Sequence, residues 1–489
     1  MKKPVLSLDF EPDEYLCTWH IRDGAGAVRN LSGAIEVSPM APPRGIIYGN
    51  IPLTSDTRHG ETSFAFPQRS ASPATHATLA NGGEVLVLDS TITWWMSHGN
   101  IRGSAALLRR KSTLFPWQHS DVPEVPDGDD HLVFDRVRFQ VGALDAVLGF
   151  APLKTMRFPK PGEDGERTWA ATEADETAVR WTSGEDVLEA HYRGSASIAD
   201  PYSFSVRHSP VITASSAHPL SLRRLVDDWV TPVQAIASIA TGTSEPLTYL
   251  AVESNVTDGE AHRWQVFGSG ISQDPFDSNA ESVRKANSAL LCVADAVDLL
   301  ELVQKWQGLA ADHHPLVETY AAMLHARDQH PRSRFLLLVQ SLEGMHGHET
   351  QTEFEGLASN HSAMRAEVLA EIKASVSTEH FKYIKKYLLK QPFRSLESAL
   401  RATFTDLPVD RTDALSRTAL IRQLMDEGPS GMTPFAAAAR LRHLLAHGVR
   451  GFDTSDINQV VSVSEEVVRA HALRLLGCPD FVLERVLDE

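Results

Sequence analysis

Three cysteines in 489 residues, Cys17, Cys292 and Cys478, are too few and too scattered for a disulfide framework or a zinc site. Their scarcity points to a reducing compartment. No uninterrupted apolar run approaches the ~20 residues that span a bilayer. The opening Met1-Lys2-Lys3-Pro4 has the charge of a signal-peptide start, but Asp9, Glu11, Asp13 and Glu14 break the apolar stretch behind it. A cytoplasmic location is therefore expected, with no membrane partner, and the glycosylation-type triplets at Asn30 and Asn255 carry no weight. The chain also lacks a Walker loop, a nucleophile elbow and a Gly-x-Gly-x-x-Gly turn, so ATPase, serine-hydrolase and dehydrogenase readings have no support. Positive charge is in short supply as well: 46 Lys and Arg against 63 Asp and Glu give a net charge of −17. Such a chain repels polyanions at long range, so any contact with a phosphate backbone must be a confined basic patch.

What is present is a globular composition, 42% hydrophobic and 22% charged, in a chain long enough for two or three domains. Up to about residue 215 the texture is β. Short apolar or alternating runs (84–88, 91–95, 137–141, 202–206, 211–213) are separated by turn residues, as in a sandwich or barrel. The acidic, Gly-containing stretch 161–166 reads as an exposed hairpin tip. Residues 221–240 carry a helical stripe of Leu222, Leu225, Trp229, Val233 and Ile236, and two more strand-like runs follow at 247–252 and 263–267. From about residue 285 the spacing is helical throughout: 299–303, 334–342, 364–374, 381–389, 396–404, 415–425, 434–447 and 457–476. The predicted architecture is α+β, with a β-rich, sandwich- or barrel-like N-terminal region over 1–290 and an all-α bundle over 291–489.

One predicted helix concentrates the chemistry. Thr433 is its expected N-cap, Pro434 suits the first helical position, four alanines favour propagation, and Gly448 stands where a left-handed cap belongs. At ~100° per residue, Leu441, Leu444 and Leu445 share an apolar arc facing the bundle. Arg440, Arg442, His443 and His447 occupy the other arc, with Ala439 and Ala446 between them. His447 falls in the last turn, where the negative end of the helix dipole favours a cation. The alanines would let a second backbone approach closely, and a symmetric partner would bring a second copy of the same groups.

Cutting RNA without a metal requires a base for the 2′-hydroxyl, a cation for the phosphorane and an acid for the departing 5′-oxygen. Histidine suits the proton transfers and arginine the phosphate. A bare Arg-x4-His arises by chance about once in a chain with this much His and Arg. Its weight here comes from its setting on an amphipathic, alanine-padded helix ending in Ala-His-Gly.

The segment Arg442-His443-Leu444-Leu445-Ala446-His447 resembles the Arg-polar-x3-His signature of the HEPN superfamily, and the resemblance covers about residues 300–489. A β-rich half followed by such a bundle resembles the ApeA-like proteins of bacterial anti-phage defence. Residues 334–346 resemble the first bundle helix of that family. The resemblance implies that Arg442 and His447 are catalytic and that His443 fills the polar slot, where many members carry Asn or Asp. It implies a homodimer or higher oligomer through the helical domain, a cyclic-phosphate-forming cleavage with no cofactor or metal, RNA such as tRNA as substrate, and a phage-derived trigger for the N-terminal region. Arg440, seven residues before His447, is a candidate to share the phosphate, and Glu343 a candidate to orient a motif side chain. The alternative is a HEPN bundle that binds RNA, nucleotide or a partner without cutting.

Lys382, Lys385, Lys386, Lys390, Arg394 and Arg401 form the clearest basic run, interleaved with Phe381, Tyr383, Tyr387 and Phe393. It is a candidate RNA-docking surface, against the plainer reading of a solvated helix face. His346-x-His348 and His313-His314 lack further ligands at metal spacing and read as surface histidines. Trp94, Trp95, Trp117, Trp169 and Trp181 read as core aromatics, with a binding face for a sugar or a phage protein as the alternative.

Overall fold

In a computed structural model, residues 3–23, 26–59, 61–110, 132–157, 170–174, 177–197, 204–255, 261–325 and 329–488 are described. The stretch 161–166, Tyr202, Ser203, Trp117 and Trp169 lie outside them. The chain divides into two compact units: Met1–Thr241 with Glu245–Val303, and Gly242–Ser244 with Gln304–Glu489.

In the first unit, β1 (Asp13–Arg22) sets the pattern, turning Cys17, Trp19 and Ile21 inward while Leu16 points out. It is followed by β2 (Val28–Val37), β3 (Arg44–Tyr48), a short hairpin of β4 (Asp56–Arg58) and β5 (Glu61–Ser63), then β6 (Gln68–Leu79), β7 (Glu84–Trp94) and β8 (His98–Arg102). The order β7-β6-β1-β2-β3-β8, with β8 pairing back onto β7, closes a six-stranded antiparallel barrel. Closure leaves these strands no free edges. Trp19 and Trp94 fill its interior with Ile35, Ile47, Val87, Ile92 and Ile101. The indoles fit because glycines face them: a Cβ at Gly33 would lie 2.5 Å from Trp19 Nε1, and one at Gly99 2.8 Å from Trp94. Trp19 Nε1 donates to Ile46 O at 3.0 Å, so its polar edge is satisfied.

The runs 84–88 and 91–95 prove to be one strand. At Asp89 the backbone turns left-handed (φ 47°), and the outer edge of β7 changes partner there. Before it, β7 pairs with β9 (Ala105–Arg109); after it, with β8. Beyond β9 the remaining strands are β10 (Val133–Val141), β11 (Leu153–Arg157), β12 (Ala170–Glu173), β13 (Ala178–Ser183), β14 (Asp186–Ser197), β15 (Ser205–Ser221), β16 (Leu247–Asn255) and β17 (Ala261–Gly268). The sheet runs β9-β17-β16-β10-β15-β14-β13, with β11 and β12 paired separately. The late runs at 247–252 and 263–267 thus close the N-terminal region, as their texture predicted.

Among the described residues, the helices of this unit are α1 (Leu144–Leu148), α2 (Leu222–Leu225), α3 (Thr231–Thr241) and α4 (Ala280–Ala286). A π-helical turn, Val226–Val230, joins α2 to α3, and all five residues of the predicted stripe are buried. Some of the buried polar groups here are answered by others. Gln265 accepts from the backbone N–H of Asp9 and Phe10 and donates to Phe10 O and Gln273 Oε1, tying down the N-terminal segment. Glu84 and Arg109, opposite each other on β7 and β9, form a buried ion pair, with the guanidinium 4.8 Å from the Trp264 ring centroid.

After α5 (Leu299–Ala311) come α6 (Pro315–His325), α7 (Pro331–Glu349), α8 (Gln351–Ser375), α9 (Thr378–Tyr387), α10 (Leu396–Thr405), α11 (Thr412–Arg417), α12 (Ala419–Asp426), α13 (Pro434–Ala446), α14 (Thr454–Leu475) and α15 (Asp480–Leu487). The predicted helix 415–425 is two, because the backbone of Thr418 is extended (ψ 139°). Helix α7 packs against α6, α10, α13 and α14. It buries Phe335, Leu338, Val339, Leu342 and Met345 at helical spacing. Ion pairs Arg334–Glu465 and Arg474–Glu349 join it to α14. Helix α8 buries only Leu369 and carries α9 at its end, so these two form an arm with little core of their own. No helix among the described residues is long and apolar enough to cross a membrane. All three cysteines are buried, and burial pushes the Cys17 thiol up to about 12.

Candidate functional site

Helix α13 begins and ends where its residues say it should. Thr433 Oγ1 accepts from Ala436 N at 3.1 Å and donates to Glu397 Oε1 at 2.8 Å. At the other end Gly448 is left-handed (φ 64°). Val449 N donates to Leu444 O and Gly448 N to Leu445 O, a Schellman cap. This cap stops the helix at His447, whose own N–H donates to His443 O. Phe435, Ala437, Ala438, Leu441 and Leu445 are buried, whereas Leu444 is only half-buried at the margin of the apolar arc.

The polar arc splits. His443 and His447, one turn apart, are both exposed, with ring centroids 4.6 Å apart. Arg442 leans toward α7, where its Nη2 lies 3.9 Å from Glu343 Oε2. Both partners are nearly half exposed, so solvent screens the pair, and it contributes ~0–1 kcal/mol. Among the described residues, no hydrogen bond or ion pair joins Arg442 to His447 within the chain. Arg440 points elsewhere. Its charge acts on Glu427, whose carboxyl is held below the usual range chiefly by hydrogen bonds from Arg450, then Gln423.

A residue missed by sequence reasoning stands at the end of the motif helix. Arg332, in the first turn of α7, donates from Nη2 to Leu445 O. It adds a second donor to a carbonyl that Gly448 N already caps, and places a cation beside Gly448 at the helix end. Pro331 marks the start of α7, but only the fold brings Arg332 to α13.

The basic run divides too. Lys382, Lys385 and Lys386 are exposed on α9 beside Tyr383 and Tyr387, whose rings lie 4.6 Å apart, and Lys390 is exposed just beyond. Arg394 is engaged: its guanidinium lies 3.8 Å from the Phe354 ring centroid and donates to Gln351 Oε1 at 2.7 Å. Arg401 pairs with Glu397 at 2.8 Å. The histidine pairs read separately from sequence meet in space, His314 against His348 at 4.6 Å, and burial, then His348, lowers the His314 pKa. Among the described residues no group of three or more His, Cys, Asp or Glu could hold a metal ion. Of the tryptophans, Trp94 is core and Trp181 half-buried, but Trp95 is 42% exposed, which overturns its core reading.

Comparison with known families adds the deciding observation. The family model for ApeA N-terminal domain 1 matches residues 14–306. The chain belongs to this family. The match spans the barrel, the extended sheet and its helices, so the β-rich half is the N-terminal domain of an ApeA-like protein. No curated protein and no solved structure matches the chain.

Proposed function

We propose that this ApeA-like chain is an anti-phage defence protein whose helical region, from about residue 291, is a HEPN domain that cuts RNA without a metal. The observation that carries the reading is α13: an Arg-His-x3-His sequence on an exposed helix end, with its two imidazoles in contact and its arginine beside Glu343. In the proposed reaction His447 takes the proton of an RNA 2′-hydroxyl, and the freed oxygen attacks the adjacent phosphorus. Arg442, supported by Arg332, stabilises the phosphorane. A protonated imidazole, with His443 the nearest candidate, returns a proton to the departing 5′-oxygen. The products are a 2′,3′-cyclic phosphate and a 5′-hydroxyl. Because no hydrogen bond or ion pair among the described residues joins Arg442 to His447 of one chain, the complete site is proposed to form across a symmetric homodimer. RNA, with tRNA a candidate substrate, would dock on Lys382, Lys385, Lys386 and Lys390, and a phage-derived trigger would act on the N-terminal region.

The test compares wild type with Arg442→Ala and His447→Ala for cellular toxicity and for RNA fragments bearing cyclic-phosphate ends. Both variants are expected to lose cleavage by at least about a hundredfold, as loss of acid–base or phosphate-stabilising groups does. Unchanged cleavage would refute the assignment, and cleavage abolished by EDTA would refute its metal-free form.

A further inference from the structure

The outer face of the barrel carries a feature independent of whether the helical region cuts RNA. A cavity of about 510 Å³ opens there, and its lining includes Arg44, Arg69, Arg102, Thr91, Thr93, Asn100 and Trp95. Strand register brings these together. Arg102 of β8 stands directly between Thr91 of β7 and Arg44 of β3, and Thr93 of β7 directly between Arg69 of β6 and Asn100 of β8. Thr91 and Thr93 are two residues apart on one strand, so both rows face the same side.

Placing Arg44 opposite Arg102 is unfavourable, since like charges directly across a strand pair repel. Among the described residues no acidic side chain lines the cavity. Among the described residues none of the three arginines has a hydrogen-bond or ion-pair partner. Glu36, across from Arg44 on β2, accepts from Ser38 instead. In a chain of net charge −17, three arginines around one cavity, with Glu36 beside Arg44 the acidic residue directly across a strand from them, are a local reversal of the molecule's field. The fourth component is aromatic. Trp95 sits in the β7–β8 turn, its ring nearly parallel to His98 (19°), leaving an exposed indole at the rim.

We infer that this cavity binds a nucleotide carrying at least two phosphate charges. The guanidinium forks hold the phosphates bidentately, the threonine hydroxyls supply further donors, and the base stacks on Trp95. The volume is that of a small-molecule site. The ligand is therefore a free nucleotide rather than a polymer.

The test is calorimetric titration of the full chain with ADP, GDP, CDP and UDP, with the parent nucleosides and inorganic pyrophosphate as separate arms. At least one diphosphate is expected to bind, pyrophosphate more weakly, and nucleosides without measurable heat. Arg69→Ala and Arg102→Ala should each weaken binding about tenfold to a hundredfold, as loss of a charge-assisted contact does. Trp95→Ala should weaken the nucleotide and leave pyrophosphate unchanged. These side chains are exposed, so the variants should melt like wild type; Arg102→Lys, keeping the charge, should lose less than Arg102→Ala. No binding of any diphosphate at millimolar concentration overturns the inference. So does binding that survives the Arg69→Ala/Arg102→Ala double change, or capture of an oligonucleotide or acidic peptide in place of the nucleotides.

Discussion

The interior of the β-rich unit and the motif helix of the bundle place their polar residues in opposite ways. In the β-rich unit, charged and amide groups such as Glu84, Arg109, Gln140 and Gln265 are buried and answered by fixed partners. In the helical unit the motif residues stay at the surface, with Arg442 loosely paired and His443 and His447 facing solvent. A buried polar group needs its partners supplied, because desolvation leaves it nothing else. An exposed one is free to meet a ligand. The first arrangement specifies a fold; the second leaves reactive groups available on a frame that other residues stabilise.

That contrast can be broken at its strongest point first. Trp19→Ala should cost about 3–5 kcal/mol, because the barrel interior cannot collapse onto the lost indole. Hydrogen exchange should show the loss in β1–β8; equal loss in α7 and α14 would mean the two cores are not separate cooperative units.

His471 tests whether the bundle also contains a buried polar device of the barrel's kind. Its Nε2 donates to Thr403 O at 2.6 Å and its Nδ1 accepts from Arg474 Nε at 3.2 Å, an arrangement only the neutral ring can make. Burial lowers its pKa from the ordinary 6.5, against the raising effect of the Thr403 bond. The unfolded chain therefore takes up the proton first. Stability should be full above pH 6.5 and fall as acid is added from there through the lowered folded value. His471→Leu should cost about 1–3 kcal/mol at neutral pH by orphaning these partners, and should flatten that acid dependence. An unchanged slope in denaturant titrations across pH would assign it to other groups.

The smallest effect concerns the helix end. Gly448→Ala puts a side chain into a left-handed position and should cost about 1 kcal/mol. Exchange should rise in the last turn of α13 and not in its first. Uniform loosening of the helix would show that Thr433, rather than the Schellman cap, governs its stability.

Much of α13 was legible in the sequence because every signal that builds it is local. The N-cap, Pro434, the alanines and Gly448 act within a turn or two of where they stand. The same locality explains the Leu222–Ile236 stripe. The interval 415–425 was misread for the same reason: apolar spacing continues through Thr418, while the break is a backbone choice that spacing does not record. Asp89 is the β counterpart, a corner that divided one strand into two apparent runs.

The sequence by itself determined a β-rich half, a helical half, and a basic helix ending in Arg-His-x3-His and glycine. These follow from periodicity and caps, whose hydrogen bonds close over a few residues. Only the tertiary structure decided that β8 returns to β7 to close a barrel, or that Arg44, Arg69 and Arg102 meet around one cavity. It also decided that Arg332 and Glu343 reach α13 while Arg394 and Arg401 are held elsewhere. Strand pairing and side-chain meeting join residues far apart in the chain, and no local pattern encodes which distant partner wins.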